Sequence, residues 1–524
     1  MSSLLSAENL NDFITPGVAC IKPAEPIHSK DHIELEWGQE SNSLSDNTQN
    51  ASASASASAA IGTTALKKAQ ISLSDCLACS GCITSAEEVL VAQHSHKEFL
   101  NAWNESKEDK IFAVSMSQQV RSSLANAFQV PVDVMDRALG LAFSRTFKFK
   151  YIVSVGTARR IVLDEINEEI AHRRKDSKRP VLSSICPGWV LYVEKTHPWL
   201  IEYMSKVKSP QAVTGIILKH IIGKEEGDRP TKSIYHLSIM PCFDKKLEAA
   251  RDDGMVDCVI TPKEVVTMFE EMSVPFDGYL EQAKADIAAG HDVTEWSPKR
   301  WLSNNRFGWA SDEGSESGGY AFSYIENTRQ ELIKKGIEPD SLELKVVGGK
   351  NPDIYEWRLI DTSTGSILAK SGVVNGFKNI QNLVRKLKPD TTPANTNIAN
   401  KRGAALVSKR RARTAARGST TTDIADLSTC DFIEMMACPE GCINGGGQIK
   451  APLEDLNSTK SWIQQVKNIY HSLPVMEPSS REMLSNWLES LDFAVTSRDT
   501  LLYTSFQAVE KPTDETTIML TSTW

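Results

Sequence analysis

The chain has 524 residues, enough for about three folded units at roughly 150 residues each. Apolar residues make up 41% and charged residues 24%, and the net charge of -9 gives no general attraction to nucleic acid or to acidic membranes. The best apolar stretch, residues 212–223, is short and contains Lys219 and His220, so no membrane-spanning segment is predicted.

The N-terminal segment does not resemble a targeting signal. Residues 1–16 contain Glu8 and Asp12 but no Lys or Arg, so they lack both the basic start of a secretion signal and the basic amphipathic pattern of a transit peptide. We therefore expect a cytoplasmic protein. The 10 cysteines of such a chain favour metal or redox chemistry over a disulfide framework.

Two segments are predicted to be inserts. Residues 41–65 have Asp46 as their only charge and include an Ala-Ser alternation, which cannot form an amphipathic face. Residues 389–422 are rich in Thr, Asn, Ala and basic residues and predict a disordered loop. The basic run within them, residues 401–417, could be a nuclear-localisation or nucleic-acid patch, but it has no interleaved aromatic residue, so a solvated insert is favoured.

Between these inserts, short β-branched runs alternate with segments of helical periodicity, which predicts an α/β fold with parallel sheets. Buried strands are predicted at residues 111–114, 151–155, 181–185, 234–240 and 256–260. Helices are predicted at residues 120–128, 158–171 and 263–271. A further α/β segment is predicted from strands at residues 344–347 and 355–360 and a helix at residues 379–387.

Three cysteines lie close together near the N-terminus. Cys76, Cys79 and Cys82 have the spacing that wraps a loop around three corners of a cubane iron-sulfur cluster. The small residues between them let the backbone approach inorganic sulfide closely. Ala86 and Glu87 stand where two-cluster ferredoxins have a further Cys followed by Pro, so the fourth ligand must be distant.

Cys20 is the best candidate for that ligand because it lies in a turn-rich segment with flanking Pro and Gly residues. A zinc ion could instead take the same thiols together with His94 or His96. Structural zinc, however, usually pairs one C-x-x-C with a second distant pair. An iron-sulfur site is therefore favoured over zinc.

Four further cysteines stand apart in the sequence, mostly in turns marked by Gly or Pro: Cys186, Cys242, Cys438 and Cys442. The first two follow predicted strands, where open α/β sheets place their ligand-binding crevice. A lone Cys is more often a small buried apolar residue, but four in such contexts favour a site. The remaining two are assigned to the buried structure: Cys258 and Cys430.

The segments around these four cysteines resemble the three signature motifs of iron-only hydrogenases: residues 185–189, 240–248 (Met-Pro-Cys-Phe-Asp-Lys-Lys-Leu-Glu) and 436–448 (Met-Ala-Cys-Pro-Glu-Gly-Cys-Ile-Asn-Gly-Gly-Gly-Gln). Two shorter segments also resemble that family in the expected order: Ser209-Pro210-Gln211 and Val374-Asn375-Gly376. Taken as a whole, the chain most resembles the eukaryotic cytosolic iron-sulfur assembly factors of the hydrogenase-like, prelamin-A-recognition-factor-like family.

The resemblance implies an iron-only-hydrogenase-like two-lobed fold with parallel sheets and a small N-terminal iron-sulfur region. We expect four regions along the chain: residues 1–105 as the iron-sulfur region, 106–260 as the first lobe, 261–510 as the second lobe and 511–524 as a C-terminal tail.

The resemblance also implies two 4Fe-4S clusters, with ligands divided as follows: Cys20, Cys76, Cys79 and Cys82 for one, and Cys186, Cys242, Cys438 and Cys442 for the other. In active hydrogenases the residue before the first motif ligand is a second Cys that delivers protons to a two-iron unit. Ile185 has no transferable proton at this position. Lys245 matches a lysine that binds a cyanide of that unit, but it could equally be a supporting or surface residue.

We therefore expect an assembly factor and not an enzyme, with a hydrogenase-type enzyme and a zinc-stabilised scaffold as the alternatives. The implied partners are early scaffold NTPases and a late targeting complex that contains a WD-repeat adaptor; no membrane or nucleic-acid partner is expected. The implied location is the cytoplasm, with the nucleus as an open second compartment.

The C-terminal Trp524 is a candidate partner-binding residue because Trp is a frequent energetic anchor at interfaces. The tail resembles the C-terminal aromatic tripeptides by which clients reach the targeting complex, although Ser522 and Thr523 depart from that pattern. A tail folded back on the body is the alternative.

Overall fold

Nine strands and the helices between them form the part of the chain that the computed structural model describes, residues 90–176, 179–251, 254–302, 308–388, 424–452, 456–476, 480–493 and 498–509. All of these residues belong to one unit, residues 68–511. The strands are β1 (Ile111–Met116), β2 (Tyr151–Ser154), β3 (Val181–Leu182), β4 (Ile234–Ile239), β5 (Cys258–Ile260), β6 (Leu342–Gly348), β7 (Ile354–Asp361), β8 (Ser366–Asn375) and β9 (Phe432–Met436).

The α-helices are α1 (His96–Ser106), α2 (Gln118–Phe128), α3 (Val132–Leu141), α4 (Gly156–Asp176), α5 (Pro187–Thr196), α6 (Pro210–Glu225), α7 (Asp244–Ala249), α8 (Pro262–Glu271), α9 (Phe276–Ala288), α10 (Tyr320–Lys334), α11 (Phe377–Leu387), α12 (Leu456–His471), α13 (Ser480–Ser490) and α14 (Arg498–Leu502). None of these described helices has both the length and the apolar composition needed to span a bilayer.

The first sheet is entirely parallel, in the order β2-β1-β4-β5. Nearly every residue of its strands is buried, as expected for a parallel sheet whose two faces are both covered. Helix α6 packs on β4, and α7 packs on β5. The predictions of strands β1, β2, β4 and β5 and of helices α2, α4 and α8 are confirmed.

The second sheet is mixed, in the order β3-β9-β8-β7-β6. Strands β3, β9 and β8 are parallel, whereas β8, β7 and β6 form an antiparallel meander. The antiparallel part departs from the prediction of parallel sheets. Strands β6 and β7 were predicted from the sequence, whereas β8 and β9 were not. Strand β3 lies within residues 106–260, predicted as the first lobe, yet it pairs with β9 of the second sheet.

Helices α4, α6 and α10 connect the two sheets. Helix α4 packs against both α6 and α10, and α10 covers β7, β8 and β9. One large apolar cluster contains side chains from both sheets, and its fully buried side chains include Trp189 and Tyr320. A separate cluster lies at β5 and includes Met240 and Val259. The carboxyl ends of β3, β4 and β9 each lead into a loop that carries a cysteine of the hydrogenase-like motifs.

A buried ion pair joins the two helices that follow β4 and β5. The Lys246 ammonium lies 2.7 Å from the Glu264 carboxylate, with side-chain exposures of 1% and 0%. Glu264 also accepts the Thr261 backbone N–H at 2.8 Å, which closes a capping box at the start of α8.

Replacing Lys246 should therefore destabilise the fold strongly. Lys246→Met leaves the Glu264 carboxylate buried without its cation, and we expect the urea-derived free energy of unfolding to decrease by about 3–5 kcal/mol. The matched control is Lys224→Met, because the Lys224–Asp228 pair is 50% and 75% exposed; it should change the free energy of unfolding far less than Lys246→Met does. Equal effects of the two variants would contradict the assignment of the Lys246–Glu264 pair as structural.

Candidate metal centre

The four motif cysteines approach one another at the carboxyl ends of strands from both sheets. Cys186 follows β3 and is the N-cap residue of α5, and Cys242 lies between β4 and α7. Cys438 follows β9, and Cys442 lies in the 3-10 turn Gly441–Asn444. Backbone contacts bring these segments together: the Ala437 N–H donates to Cys186 Sγ at 3.4 Å, the Gly441 N–H donates to the Cys438 carbonyl at 3.1 Å, and the Gly447 N–H donates to the Pro241 carbonyl at 3.0 Å.

Burial raises the pKa of each of the four thiols. Asp244 adds to this effect at Cys186, and Asp244 and Cys442 add to it at Cys242. At Cys438 burial and the other three cysteines hold the pKa well above its ordinary value, and at Cys442 burial and Cys186 raise the pKa to about 12. The thiols are therefore neutral unless a positive centre compensates the charge of their thiolates.

The local backbone at Cys186 is arranged for a sulfur ligand. Pro187 begins α5 at a position where a missing N–H costs nothing. The backbone N–H of Ala437 donates to Cys186 Sγ at 3.4 Å. A Cβ at Gly188 would lie 2.6 Å from Asp244 Oδ2, so a larger residue would push the loop after Cys242 away. N–H donors of this kind stabilise thiolate ligands.

The turn that carries Cys442 depends on left-handed backbone. Glu440 and Gly441 have φ angles of 61° and 75°, a region where glycine is favoured. A Cβ at Gly441 would lie 2.4 Å from Ser317 Oγ. The backbone N–H of Cys442 donates to the same oxygen at 3.0 Å. Ser317 thus fixes the orientation of the turn.

Lys245 is bound within the protein. Its ammonium donates to the Ile185 carbonyl at 3.0 Å and to the Glu248 carboxylate at 2.6 Å. The Ser209 hydroxyl also donates to Glu248, and Gln211 Nε2 donates to the Lys245 carbonyl at 3.1 Å. The Ser-Pro-Gln segment and the motif around Cys242 are therefore held together by one polar network.

Two polar residues of this region were not among the candidates predicted from the sequence. Asp244 is almost fully buried beside the thiols; burial raises its pKa to about 7 against the opposing charge of Lys245, and its Oδ1 has no hydrogen-bond partner within the described residues. Asp244 could have been recognised from the sequence, because it is an acidic residue two positions after Cys242 in the motif. Ser317, in contrast, comes from a distant loop, and no local pattern marks it.

The donor set of four thiols suits an iron-sulfur cluster, and the Ala437 N–H that donates to Cys186 Sγ fits the thiolate form. Within the described ranges, no three His, Cys, Asp or Glu side chains are placed to bind one metal ion together. Cys258 and Cys430 are buried away from this group: Cys258 Sγ lies 3.7 Å from the Ser95 carbonyl and Cys430 Sγ lies 3.9 Å from Glu356.

The other predicted site residues lie outside the described residues: Cys20, Cys76, Cys79, Cys82 and Trp524. Both histidines of the zinc alternative are described. His94 Nδ1 accepts the Val259 backbone N–H at 3.2 Å, and burial lowers the pKa of His94 to about 4. His96 Nε2 lies 3.2 Å from the Glu271 carboxylate. Each histidine therefore has a partner in the first sheet or in α8.

The chain matches a known protein family and is similar in fold to solved structures. Residues 110–446 match the family model described as iron only hydrogenase large subunit, C-terminal domain. The fold is similar to that of a variant of FeFe-hydrogenase HydA1 from Chlamydomonas reinhardtii, with a TM-score of 0.51, 21% identity and coverage of 79% of this chain and 99% of that one. The structure of HydA(deltaEFG) matches with the same TM-score, identity and coverage. The class is therefore that of iron-only-hydrogenase-like proteins.

Relatives that match over their full length identify a narrower family within this class. A protein of Debaryomyces hansenii named "Cytosolic Fe-S cluster assembly factor NAR1" is 42% identical over 100% of both chains, and one of the same name from Yarrowia lipolytica is 40% identical over 100% of both. The chain belongs to the hydrogenase-like family of these cytosolic Fe-S cluster assembly factors.

Strand β9 carries a buried acid that positions a neighbouring loop. Glu434 accepts hydrogen bonds from the Ser315 hydroxyl and, at 3.0 Å, from the Ala321 backbone N–H. Burial raises its pKa from 4.5 to about 7 in spite of these bonds. The folded protein therefore holds a proton at Glu434 at pH values where the unfolded chain has released it.

This shift predicts a pH-dependent contribution to stability. Because the folded state binds more protons between pH 4.5 and about 7, the contribution of Glu434 decreases as the pH increases through that window. Glu434→Gln removes this pH-dependent contribution. The free energy of unfolding of the variant minus that of the wild type, measured by urea unfolding, should therefore increase as the pH is raised across the window. Glu343→Gln, at an exposed position of β6, is the control and should show a flat difference. A flat difference for Glu434→Gln as well would contradict the shift.

Proposed function

We propose that Cys186, Cys242, Cys438 and Cys442 hold one 4Fe-4S cluster. The support is the meeting of four thiols from separate segments, each with a pKa raised by burial. Without iron the four thiols stay neutral, and iron ions would compensate the charge of the four thiolates. The surrounding residues orient the ligands, and no catalytic group is required of them.

A second 4Fe-4S cluster is proposed on four cysteines near the N-terminus: Cys20, Cys76, Cys79 and Cys82. Its support is the sequence alone, where three thiols have cubane spacing and a fourth lies in a turn-rich segment. Zinc bound to the same thiols is the competing hypothesis, and metal analysis separates the two.

The proposed role is that of a component of the cytosolic iron-sulfur protein assembly machinery. The observation that carries it is the full-length match to relatives named as cytosolic Fe-S cluster assembly factors. In this role the chain links early scaffold NTPases to a late targeting complex with a WD-repeat adaptor, for the maturation of cytosolic and nuclear iron-sulfur proteins. Its location is the cytoplasm, and the nucleus is a second proposed compartment.

Hydrogen conversion is not part of the proposed role. Ile185 has no proton to transfer where active hydrogenases have a Cys. The ammonium of Lys245 is engaged by the Ile185 carbonyl and the Glu248 carboxylate. Both observations favour a protein that binds a cluster without a reactive two-iron unit.

The two clusters should differ in their effect on folding. Cys438→Ala removes a ligand that lies between segments of both sheets, so we expect it to lower the yield of folded protein more than Cys79→Ala.

Iron and sulfide analysis after anaerobic reconstitution should give about eight irons for the wild type and about four for each variant. About four irons in the fully reconstituted wild type would contradict the two-cluster proposal, and zinc in place of iron would support the scaffold alternative.

Hydrogen turnover should be absent. Anaerobically purified protein should neither evolve nor consume hydrogen, and its infrared spectrum should lack bands of metal-bound carbonyl and cyanide. A HydA1-type hydrogenase measured in parallel provides the positive control. Clear carbonyl and cyanide bands from this chain would revive the enzyme hypothesis.

Removal of Trp524 should separate partner binding from folding. The truncated protein should keep its iron content and its unfolding midpoint, while its recovery of the targeting complex in a pull-down should decrease severalfold because the aromatic anchor is missing. Thr523→Ala, which keeps the terminal Trp, is the control. Undiminished binding, or loss of iron together with binding, would instead support a tail that packs on the body of the protein.

A further inference from the structure

The loop before α10 is bonded to three elements, α4, β9 and α2. The Arg159 guanidinium and the Asp312 carboxylate form a buried pair at 2.8 Å, with side-chain exposures of 3% and 4%. Ser315 bonds to the buried Glu434, and Gln119 Nε2 donates to the Glu316 carbonyl at 2.8 Å. These contacts with α4, β9 and α2 determine where the next residue of the loop, Ser317, is placed.

Ser317 faces the turn that carries Cys442. It is only 6% exposed, and its Oγ accepts the Cys442 backbone N–H at 3.0 Å. A hydroxyl has one proton and two acceptor positions, so the proton remains available for donation. Because the same oxygen accepts the Cys442 N–H, this proton lies beside Cys442, whose sulfur is a proposed cluster ligand.

We propose that Ser317 is a positioning residue that donates its O–H to the Cys442 thiolate and raises the reduction potential of the cluster bound there. The proposal rests on the proposed function, because it requires a cluster on Cys442. Reduction adds negative charge to the cluster and its thiolates. A donor on a thiolate therefore stabilises the reduced state more than the oxidised state, which makes reduction easier.

Ser317→Ala should lower the midpoint potential of this cluster. Loss of one charge-assisted hydrogen bond is expected to change the one-electron reduction equilibrium by roughly tenfold, which corresponds to about 59 mV. The measurement is an anaerobic redox titration of the reconstituted full-length chain, monitored by electron paramagnetic resonance. A repeat in the Cys79→Ala background removes the overlapping signal of the second proposed cluster.

A matched pair of variants separates the hydroxyl from the shape of the side chain. Ser317→Thr keeps an O–H, whereas Ser317→Val has nearly the same shape as Thr but lacks it. The proposal expects a near wild-type potential for Ser317→Thr and a lowered potential for both Ser317→Val and Ser317→Ala, at unchanged iron content.

The possible outcomes separate the role of Ser317 from the presence of a cluster on Cys442. Equal potentials for Ser317→Thr and Ser317→Val, with the cluster present in both, would overturn the role of Ser317 but leave the cluster proposal standing. Loss of the cluster from Ser317→Val and Ser317→Ala alone would also overturn it, since the hydroxyl would then be needed to hold the ligand and not to tune it. A wild-type chain without any cluster signal from Cys442 would overturn the proposed function and this inference together.

Discussion

The structure depends on one electrostatic constraint at the junction of its two sheets. Burial raises the pKa values of all four thiols, and neighbouring cysteines raise them further at Cys242, Cys438 and Cys442. Four thiolates in this place are unfavourable without a compensating cation. Since their loops follow β3, β4 and β9, a bound cluster would cross-link both sheets, and its loss would remove a contact between them.

Much of the fold follows from the sequence because the first sheet obeys simple rules. Its strands are buried on both faces and are short, mostly apolar runs, and the predicted helices lie between them. The second sheet was harder to predict. Strand β9 contains the buried Glu434, and β8 begins with exposed residues and includes Lys370, so neither shows a clean apolar run. Their place in the sheet depends on long-range pairing.

The candidate site was predictable where its chemistry is local. The cysteine motifs and their neighbours Ile185 and Lys245 could be recognised because each lies in a short diagnostic segment. Ser317 could not, because its contact with Cys442 spans 125 positions of the chain and arises only from the fold. The unpartnered carboxyl oxygen of Asp244 is likewise visible only in three dimensions.

We propose above all that the four cysteines around the sheet junction share one iron-sulfur cluster. Iron-anomalous diffraction from crystals of the anaerobically prepared full-length protein tests it most directly. We expect a compact four-iron peak whose thiolate ligands are Cys186, Cys242, Cys438 and Cys442. A mononuclear ion at this place, or four unliganded thiols in protein whose iron is bound elsewhere, would contradict it.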